Sequence, residues 1–556
     1  MTTGREAFFE VARSEGARYL FTNPGTTELP IFDEFAEDSH GLQLIMCLQE
    51  GVAVGAADGY AQATNRPSLI NLHVTPGLAN GICGIFNAHW SRSPIVVTAG
   101  QQDTRHLVQE PMLAGDLQAM VRQFCKYTYE CRRPDEIGIA LRRAFKDART
   151  PPAGPTFVSI PWDVFDQDAD FDIPAPSEID VRATASADAI TKAAKILLDA
   201  DRPLIVAGDG IARAEGVAEL IRVAELIGAR VAGEAIHGRF VFPFDHPLYG
   251  GMMAPMNPGI RHSLEQADVA FIAAASAFSP FYPSSIMAVP PNVTLVQLDP
   301  SPVEIARVYP VAVGMVGDPK ASLRALGDEI ERVRTPDQTK RAEQRAKEAA
   351  EQRAAGQQAM SQALEQKRSA SPIPPVLAVS EVCGALDPDT IVVDESVTST
   401  LGVRSSLHLS EPGSYFFTRG GGLGFGLPAA IGVKLARPDR PVVAIVGDGT
   451  TLYTPQALWT MAHHQIPVVS VILNNASYLI LKSGMASMQG KAVKHDIWPA
   501  MDIVDPRVDF LSLARVFDVD AERVENVDDI APAVRKAAAS GGPALVEVVV
   551  DGRLGA

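Results

Sequence analysis

Positive charge is in short supply: 49 Lys and Arg stand against 66 Asp and Glu, a net charge of −17, and no tail or patch gathers the basic residues. This balance favours solubility and argues against a large nucleic-acid footprint. Cysteine is also sparse. The five present, Cys47, Cys83, Cys125, Cys131 and Cys383, contain no CxxC pair and are odd in number, which reads as reduced thiols rather than a disulfide framework. Aromatic residues make up 6% of the chain, beside 46% hydrophobic and 21% charged, the profile of an ordinary globular protein and not of a disordered or fibrous one. A bilayer-length apolar run is missing. The longest uncharged stretch, between Arg66 and Arg92, is broken by Asn71, His73, Pro76, Asn80, Asn87 and several glycines, which a membrane span would not favour. The opening "MTTGREAFFEVARSEG" places charges where a signal peptide needs an apolar centre, so no export signal is expected. The expectation is a cytoplasmic protein with neither membrane nor nucleic-acid partners.

What the chain does contain is a succession of short apolar runs, among them "LINLHV", "PIVVTAG", "TFVSIPW", "RPLIVAGDG", "VTLVQLDP", "PVVAIVGDG", "PVVSVILNN" and "ALVEVVV". Glycine-rich turns and helix-patterned segments separate them. Strands alternating with helices predict an α/β protein with doubly wound parallel sheets covered on both faces. At 556 residues one core is too few, since a domain takes roughly 100–200 residues. Two breaks divide the chain. Residues 166–186, rich in Asp and Pro, read as a linker; Lys340 to Lys367, a charged Ala/Glu/Gln/Arg run ahead of "SPIPP", reads as a solvated helix and connector. Three domains are expected, at 1–165, 187–335 and 372–556. A faint repeat links the first to the third: "AADGYAQATNRPSLINLH" (Ala56 to His73) parallels "AAIGVKLARPDRPVVAIVG" (Ala429 to Gly447). It makes His73 and Gly447 equivalent, both at a strand's carboxyl end, where open α/β sheets bind ligands.

The run Val442–Val446 ends in Gly447-Asp448-Gly449, and the helix that follows, with Thr454 as its expected N-cap and Pro455 at its first position, leads to a second strand ending in Asn474-Asn475. In such a βαβ unit both strand ends point the same way, so Asp448 and Asn475 can meet. A carboxylate, an amide oxygen and a backbone carbonyl are hard ligands suited to Mg²⁺ or Ca²⁺. Two protein side chains leave room for a phosphorylated ligand on the metal, which glycine backbone at Gly447 and Gly449 and nearby helix amides would hold. The chain carries its own control, Gly208-Asp209-Gly210, which no Asn-Asn follows at a comparable distance; Asp209 reads as a turn residue. A second glycine-rich block, "RGGGLGFGLPAA" (Arg419 to Ala430), admits no GxGxxG through Gly420–Gly426 and has no strand leading into it. Glu50 stands where an apolar strand gives way to a helix rich in small residues; taken alone it reads as a helix-capping acid, and His73 as a sheet-end histidine. His463-His464 read as helix surface, because adjacent helical residues point apart.

The interval from Gly447-Asp448-Gly449 to Asn474-Asn475, 24 residues from Thr450 to Leu473, resembles the thiamine diphosphate-binding motif. Further matching stretches are "NPGTTELP" (Asn23–Pro30), "LQEGVAVGAADGYAQA", "INLH", "VTAGQQ", "DES" (Asp394–Ser396), "PGSYFF" and "GGLGFGLPAAIGV". Over Glu6 to Val549 the chain is similar to the thiamine diphosphate-dependent decarboxylase and acetohydroxyacid synthase superfamily, within it most of all to benzoylformate decarboxylases. The resemblance implies pyrimidine-binding, central and diphosphate-binding domains in that order. It implies that Asp448, Asn475 and the Ser477 carbonyl bind Mg²⁺, with Ca²⁺ as a substitute. Thr398, Gly447, Gly449 and Thr450 would line the diphosphate, with Tyr478 beside it, while Gly421 and Leu423 hold the pyrimidine. Glu50 would contact N1′ of cofactor held by another subunit and promote the tautomer that removes the thiazolium C2 proton. Thr26 and His73 would face the substrate. A homodimer is the minimum assembly and a homotetramer is expected.

Departures from the family pattern bear on the substrate. The second catalytic histidine of the family would fall in "ASAFSPFYPSS", near Phe281, where there is none; Ile480, Leu481, Lys482 and Gly484 imply a wider, differently charged pocket beside Phe281. The reading is decarboxylation of a 2-oxo acid, benzoylformate-like or with a branched or aromatic side chain, with carboligation to an aldehyde as a possible second outcome. The alternatives are an acetolactate synthase-like enzyme or 2-hydroxyacyl-CoA lyase and, in another class, a nucleotide-binding regulatory protein with a vestigial thiamine site. FAD in the central domain is not expected.

Overall fold

Runs of Val, Ile, Leu and Ala with few polar interruptions become strands when both faces of a sheet are covered, and the computed structural model, which describes residues 2–279 and 283–555, contains three such sheets. The first comprises β1 (Tyr19–Thr22), β2 (Gln43–Met46), β3 (Ser68–Leu72), β4 (Ile95–Gln101), β5 (Thr128–Glu130) and β6 (Thr156–Pro161), in the spatial order β2-β1-β3-β4-β6-β5. Two of its helices carry candidate residues, α1 (Glu50–Thr64) and α2 (Val74–Ser91). The second sheet comprises β7 (Pro203–Ala207), β8 (Arg230–Gly233), β9 (Tyr249–Met252), β10 (Val269–Ala273), β11 (Thr294–Asp299) and β12 (Val313–Val316), ordered β9-β8-β7-β10-β11-β12. After it comes α3 (Pro336–Gln366). The third sheet comprises β13 (Ile391–Glu395), β14 (Tyr415–Phe417), β15 (Val442–Gly447), β16 (Val468–Asn474), β17 (Asp520–Val524) and β18 (Ala544–Val549), ordered β14-β13-β15-β16-β18-β17, with helices α4 (Gly426–Ala436), α5 (Gln456–His463) and α6 (Leu479–Ser487). Every pairing in the three sheets is parallel. The protein is therefore α/β with three doubly wound parallel sheets.

The first and third sheets have the same winding, with the third strand of each, β3 and β15, beside the first; the middle sheet follows the dinucleotide-fold order instead. The repeated segments thus occupy equivalent places, a helix (α1 or α4) leading into a third strand. These two helices also pack on each other. A Cβ at Gly59 would strike the carbonyl of Ala429, and one at Gly432 the carbonyl of Ala56, so the backbones touch where the repeat reads Ala-Ala-x-Gly. The apolar core of the first and third sheets runs on across this contact.

Three local expectations need revision. The interval 166–186 is not featureless, because Asp168–Ala169 pair antiparallel with Thr2–Thr3 at the chain's start; beyond that no helix or strand forms before Ala187. α3 begins earlier than the charge pattern indicates, behind a capping box of Thr335 and Gln338, and it is not wholly solvated. Ala342 and Ala349 are buried, Arg345 donates to the Ile227 carbonyl at 2.6 Å and Arg353 to that of Tyr249 at 3.0 Å. The arginines read from sequence as solvating charge instead satisfy carbonyls of the middle domain. Among the described residues no helix is long and apolar enough to cross a membrane.

Candidate active site

β15 and β16 lie side by side with Gly447 opposite Leu473, so Asp448 and Asn475, which follow the last residues of the two strands, leave the sheet at the same end. Asp448 opens a single helical turn, Asp448–Thr451, behind an extended Gly447. Its carboxylate faces the amides of Gly449, Ser477 and Ala476; burial nevertheless dominates and pushes it up to about 6. One oxygen, Oδ2, is buried without a hydrogen-bond partner, a costly state for a carboxylate that a cation would relieve. The opposite loop is fixed in turn. Asn474 donates to Glu547 at 2.7 Å and accepts from the Ala476 amide at 3.0 Å, Ala476 turns the chain at φ 50°, and Asn475 Oδ1 accepts from the Ser477 amide at 3.0 Å. Asp448, Asn475 and Ser477 are therefore brought together, as the βαβ argument requires. Among the described residues no three His, Cys, Asp or Glu side chains are grouped to hold a metal; a cation here would have one carboxylate, one amide oxygen and one carbonyl to bind, a set whose chemistry fits Mg²⁺ or Ca²⁺. The Tyr478 ring closes over Gly449, where a Cβ would lie 2.6 Å from it.

The chain reverses its winding between β13 and β15, and crevices at such switch points bind ligands. Thr398, half-buried in the turn Val397–Ser399 after β13, flanks this crevice on one side. Thr450 flanks it on the other, its hydroxyl donating to the carbonyls of Gly447 at 2.9 Å and Glu395 at 3.2 Å. Thr454 does not cap the following helix as expected. Its hydroxyl donates to the Gly424 carbonyl at 3.0 Å and Pro455 occupies the N-cap, because the glycine-rich loop lies within its reach. In that loop Gly421 has φ 76° and is exposed, while Leu423 is half-buried.

Glu50 is the first residue of α1, buried, with Gln49 capping the helix by accepting from Val52. Asn23 and Asn80 donate to its two oxygens at 3.1 and 3.0 Å, so the acid is oriented by side chains and its capping reading is incomplete. His73 follows β3 and is held through Nδ1, 2.9 Å from Glu28. Glu28 is fully buried and also accepts from the Gly100 amide at 2.9 Å and the Thr27 hydroxyl at 2.6 Å. It raises the pKa of His73 by its hydrogen bond and, less, by its charge, aided by Glu50 and opposed by burial. With Nδ1 committed to a carboxylate, Nε2 is the atom left for a substrate. Glu28 was not singled out from the sequence; its one signal is being the sole acid in "NPGTTELP". Thr26, two residues earlier, is exposed.

Ile480 and Leu481 lie exposed on α6, but Lys482 does not change the charge of the surrounding surface: its ammonium is buried against Asp502. Phe281 lies outside the described residues. Two other readings are corrected. His464 is not mere helix surface, since its Nε2 accepts the Met46 amide at 2.9 Å across to the first domain, while His463 stacks on Trp459 with centroids 4.5 Å apart. Asp209 is not a plain turn residue. Its carboxylate accepts the amides of Gly238 at 2.8 Å and Arg239 at 3.0 Å and pairs with Arg419 at 3.0 Å, and Arg419 also reaches Glu234 at 2.9 Å. The second Gly-Asp-Gly thus anchors the glycine-rich loop of the third domain to the middle one.

Comparison with known proteins agrees with this geometry at the level of class. Residues 2–123 match the N-terminal TPP binding domain of thiamine pyrophosphate enzymes, 190–326 their central domain and 398–548 their C-terminal TPP binding domain. The chain belongs to the thiamine pyrophosphate enzyme family. It is 32% identical to benzoylformate decarboxylase of Pseudomonas aeruginosa over 99% of each chain, and 28% identical to a probable acetolactate synthase large subunit of Methanocaldococcus jannaschii, covering 99% of this chain and 92% of that protein. Its structure superposes with a TM-score of 0.86 on the 4-hydroxybenzoylformate decarboxylase of Rhodococcus jostii RHA1, at 28% identity and 99% coverage of both.

The Glu28–His73 contact carries a pH prediction. The folded pKa of His73 lies above its ordinary value, so the protonated imidazole survives to higher pH than a free histidine's and is lost only as pH rises through that elevated pKa. Glu28→Gln removes the carboxylate and presents an amide N–H to Nδ1. The His73 ring resonances, followed by NMR, should then titrate at lower pH, and any alkaline limb of the pH–rate profile set by His73 should shift the same way. An unmoved titration would show that Glu28 does not govern this histidine.

Proposed function

We propose that this chain decarboxylates a 2-oxo acid, benzoylformate-like or with a branched or aromatic side chain, using thiamine diphosphate and Mg²⁺, and that the acyl carbon left after CO₂ departs is either protonated and released as aldehyde or, as a second outcome, joined to an acceptor aldehyde. The observation that carries the reading is the buried, unpartnered Asp448 Oδ2 facing the Asn475–Ser477 loop. Asp448, the Asn475 side chain and the Ser477 carbonyl would hold the metal. Gly447, Gly449, Thr450 and Thr398 would line the diphosphate with Tyr478 closing over it, and Gly421 and Leu423 would support the pyrimidine. When bound, thiamine diphosphate supplies a carbon nucleophile and an electron sink for the carboxylate's bonding pair.

The residues do the rest. Glu50, kept in place by Asn23 and Asn80, holds a proton at the pyrimidine N1′; the family pattern puts that glutamate on one subunit and the cofactor on the third domain of another, which makes a homodimer the smallest competent unit and is met by a homotetramer. His73 Nε2 delivers or removes a proton at the substrate's reacting carbon, and Thr26 binds the substrate carboxylate. The exposed apolar faces of Ile480 and Leu481 favour a substrate with an apolar side chain. The domains serving these roles span 1–165, 187–335 and 372–556, and the composition fits the cytoplasm. The test is mass spectrometry of products from pyruvate, branched-chain 2-oxo acids and benzoylformate, with and without an acceptor aldehyde. Aldehyde and CO₂ from benzoylformate or a branched substrate are expected; acetolactate and CO₂ from pyruvate, with no aldehyde from any of the substrates, would replace this reading with the synthase one.

A further inference from the structure

Leu423 stands between two fixed points. On one side Asn87 of α2 grips Gly422 twice, accepting from its amide at 2.9 Å and donating to its carbonyl at 2.8 Å. On the other side is Glu395, the last residue of β13, whose two oxygens accept separately from Gly424 at 3.0 Å and Gly426 at 2.7 Å, with the Phe425 amide also facing them. Glu395 is 1% exposed, so this carboxylate has traded water for the amide ends of peptide dipoles at the start of α4. No cation is among the groups that act on it. The ionisable neighbours are Asp394, turned away toward Ser396, Thr400 and Tyr415, and the Cys83 thiol on α2. The loop is shaped around this acid: Gly424 has φ 93°, and a Cβ on Gly426 would lie 3.0 Å from the Glu395 Cβ.

We propose that Glu395 is a positioning residue for the cofactor's pyrimidine: by gripping the amides of Gly424 and Gly426 it fixes the backbone that presents Leu423, and it loosens that backbone when protonated. The inference rests on the reading of Leu423 as the pyrimidine's support. Burial lifts Glu395 to about 7 against the opposing pull of the Gly426, Phe425 and Gly424 amides, so the change falls near neutrality. As a carboxylate it offers an acceptor to each amide; as an acid, one oxygen carries a proton and meets an N–H with its own donor.

The experiment compares binding of thiamine diphosphate and of inorganic pyrophosphate, each with Mg²⁺, to the full chain and to E395Q. Glutamine keeps one acceptor and turns an NH₂ on the other amide, mimicking the protonated acid. At about pH 8, E395Q should bind thiamine diphosphate about tenfold more weakly, the scale of one hydrogen bond to a charged group, and pyrophosphate, which has no pyrimidine, as tightly as the natural protein. The natural protein's preference for thiamine diphosphate over pyrophosphate should fall toward that of E395Q as pH drops through about 7, whereas the variant's pH response should lack this step. Equal thiamine diphosphate affinity in the two proteins, or a parallel loss of both ligands, overturns the role. If E395Q does not fold, the natural protein decides alone: a preference that does not decline through about pH 7 overturns it. A natural protein that binds no thiamine diphosphate overturns the cofactor reading as well; binding that E395Q leaves untouched overturns only the role of Glu395.

Discussion

Asp448→Ala is expected to leave a folded protein that no longer gains thermal stability from Mg²⁺ plus thiamine diphosphate and whose decarboxylation falls at least about 100-fold, since even indirect partners of a metal cost 10–100-fold in affinity when removed. Burial has already raised the Asp448 carboxyl, one of its oxygens lacks any partner, and the Ala476 and Ser477 amides are already bonded to the side chains of Asn474 and Asn475. A cation is the remaining group that can compensate the buried charge. Differential scanning fluorimetry with and without metal and cofactor reads the result, and an equal ligand-induced shift in both proteins would remove Asp448 from the metal site.

Glu50→Gln should behave differently. The cofactor should still bind, because the metal and diphosphate groups are untouched, but turnover should drop about 10²–10⁴-fold, the range of a positioned proton donor or acceptor. Exchange of the cofactor's C2 proton with solvent should slow in step. Glutamine retains an acceptor for Asn23 or Asn80, which donate to the two Glu50 oxygens at 3.1 and 3.0 Å, so a loss of activity will not be one of local folding. If Glu50 serves cofactor held by a second copy, refolding Glu50→Gln and Asp448→Ala chains together should restore activity, because mixed dimers contain one site free of both changes. Activity that stays at the level of the separate variants would place both groups in one chain's site.

The parts of this protein that could be read from its residues are those set by local rules. Parallel βαβ geometry forces strand ends together, so a Gly-Asp-Gly and an Asn-Asn on successive strands had to converge, and β15 and β16 do pair in that register. The Ala-Ala-x-Gly repeat was legible because close backbone approach demands small residues. Partners distant in sequence were not legible. Glu28, Glu395 and Glu547 are acids within or beside apolar strands or loops whose buried state depends on amides and side chains supplied from elsewhere: Gly100 and His73, Gly424 and Gly426, Asn474 and Arg523. Periodicity carries no trace of such pairings. The same limit explains Asp209 and His464, whose partners Arg419 and Met46 belong to other domains.

The crossing of α1 and α4 has one more consequence. Position 56 meets 432 and position 59 meets 429, and the sequence repeat matches 56 with 429 and 59 with 432, so swapping the two halves maps the contact onto itself. That is the self-complementary geometry by which identical subunits associate about a twofold axis, here made within one polypeptide. Side chains at these four places are therefore tied in reciprocal couples, and enlarging any one of them would wedge apart the first and third lobes of the same chain.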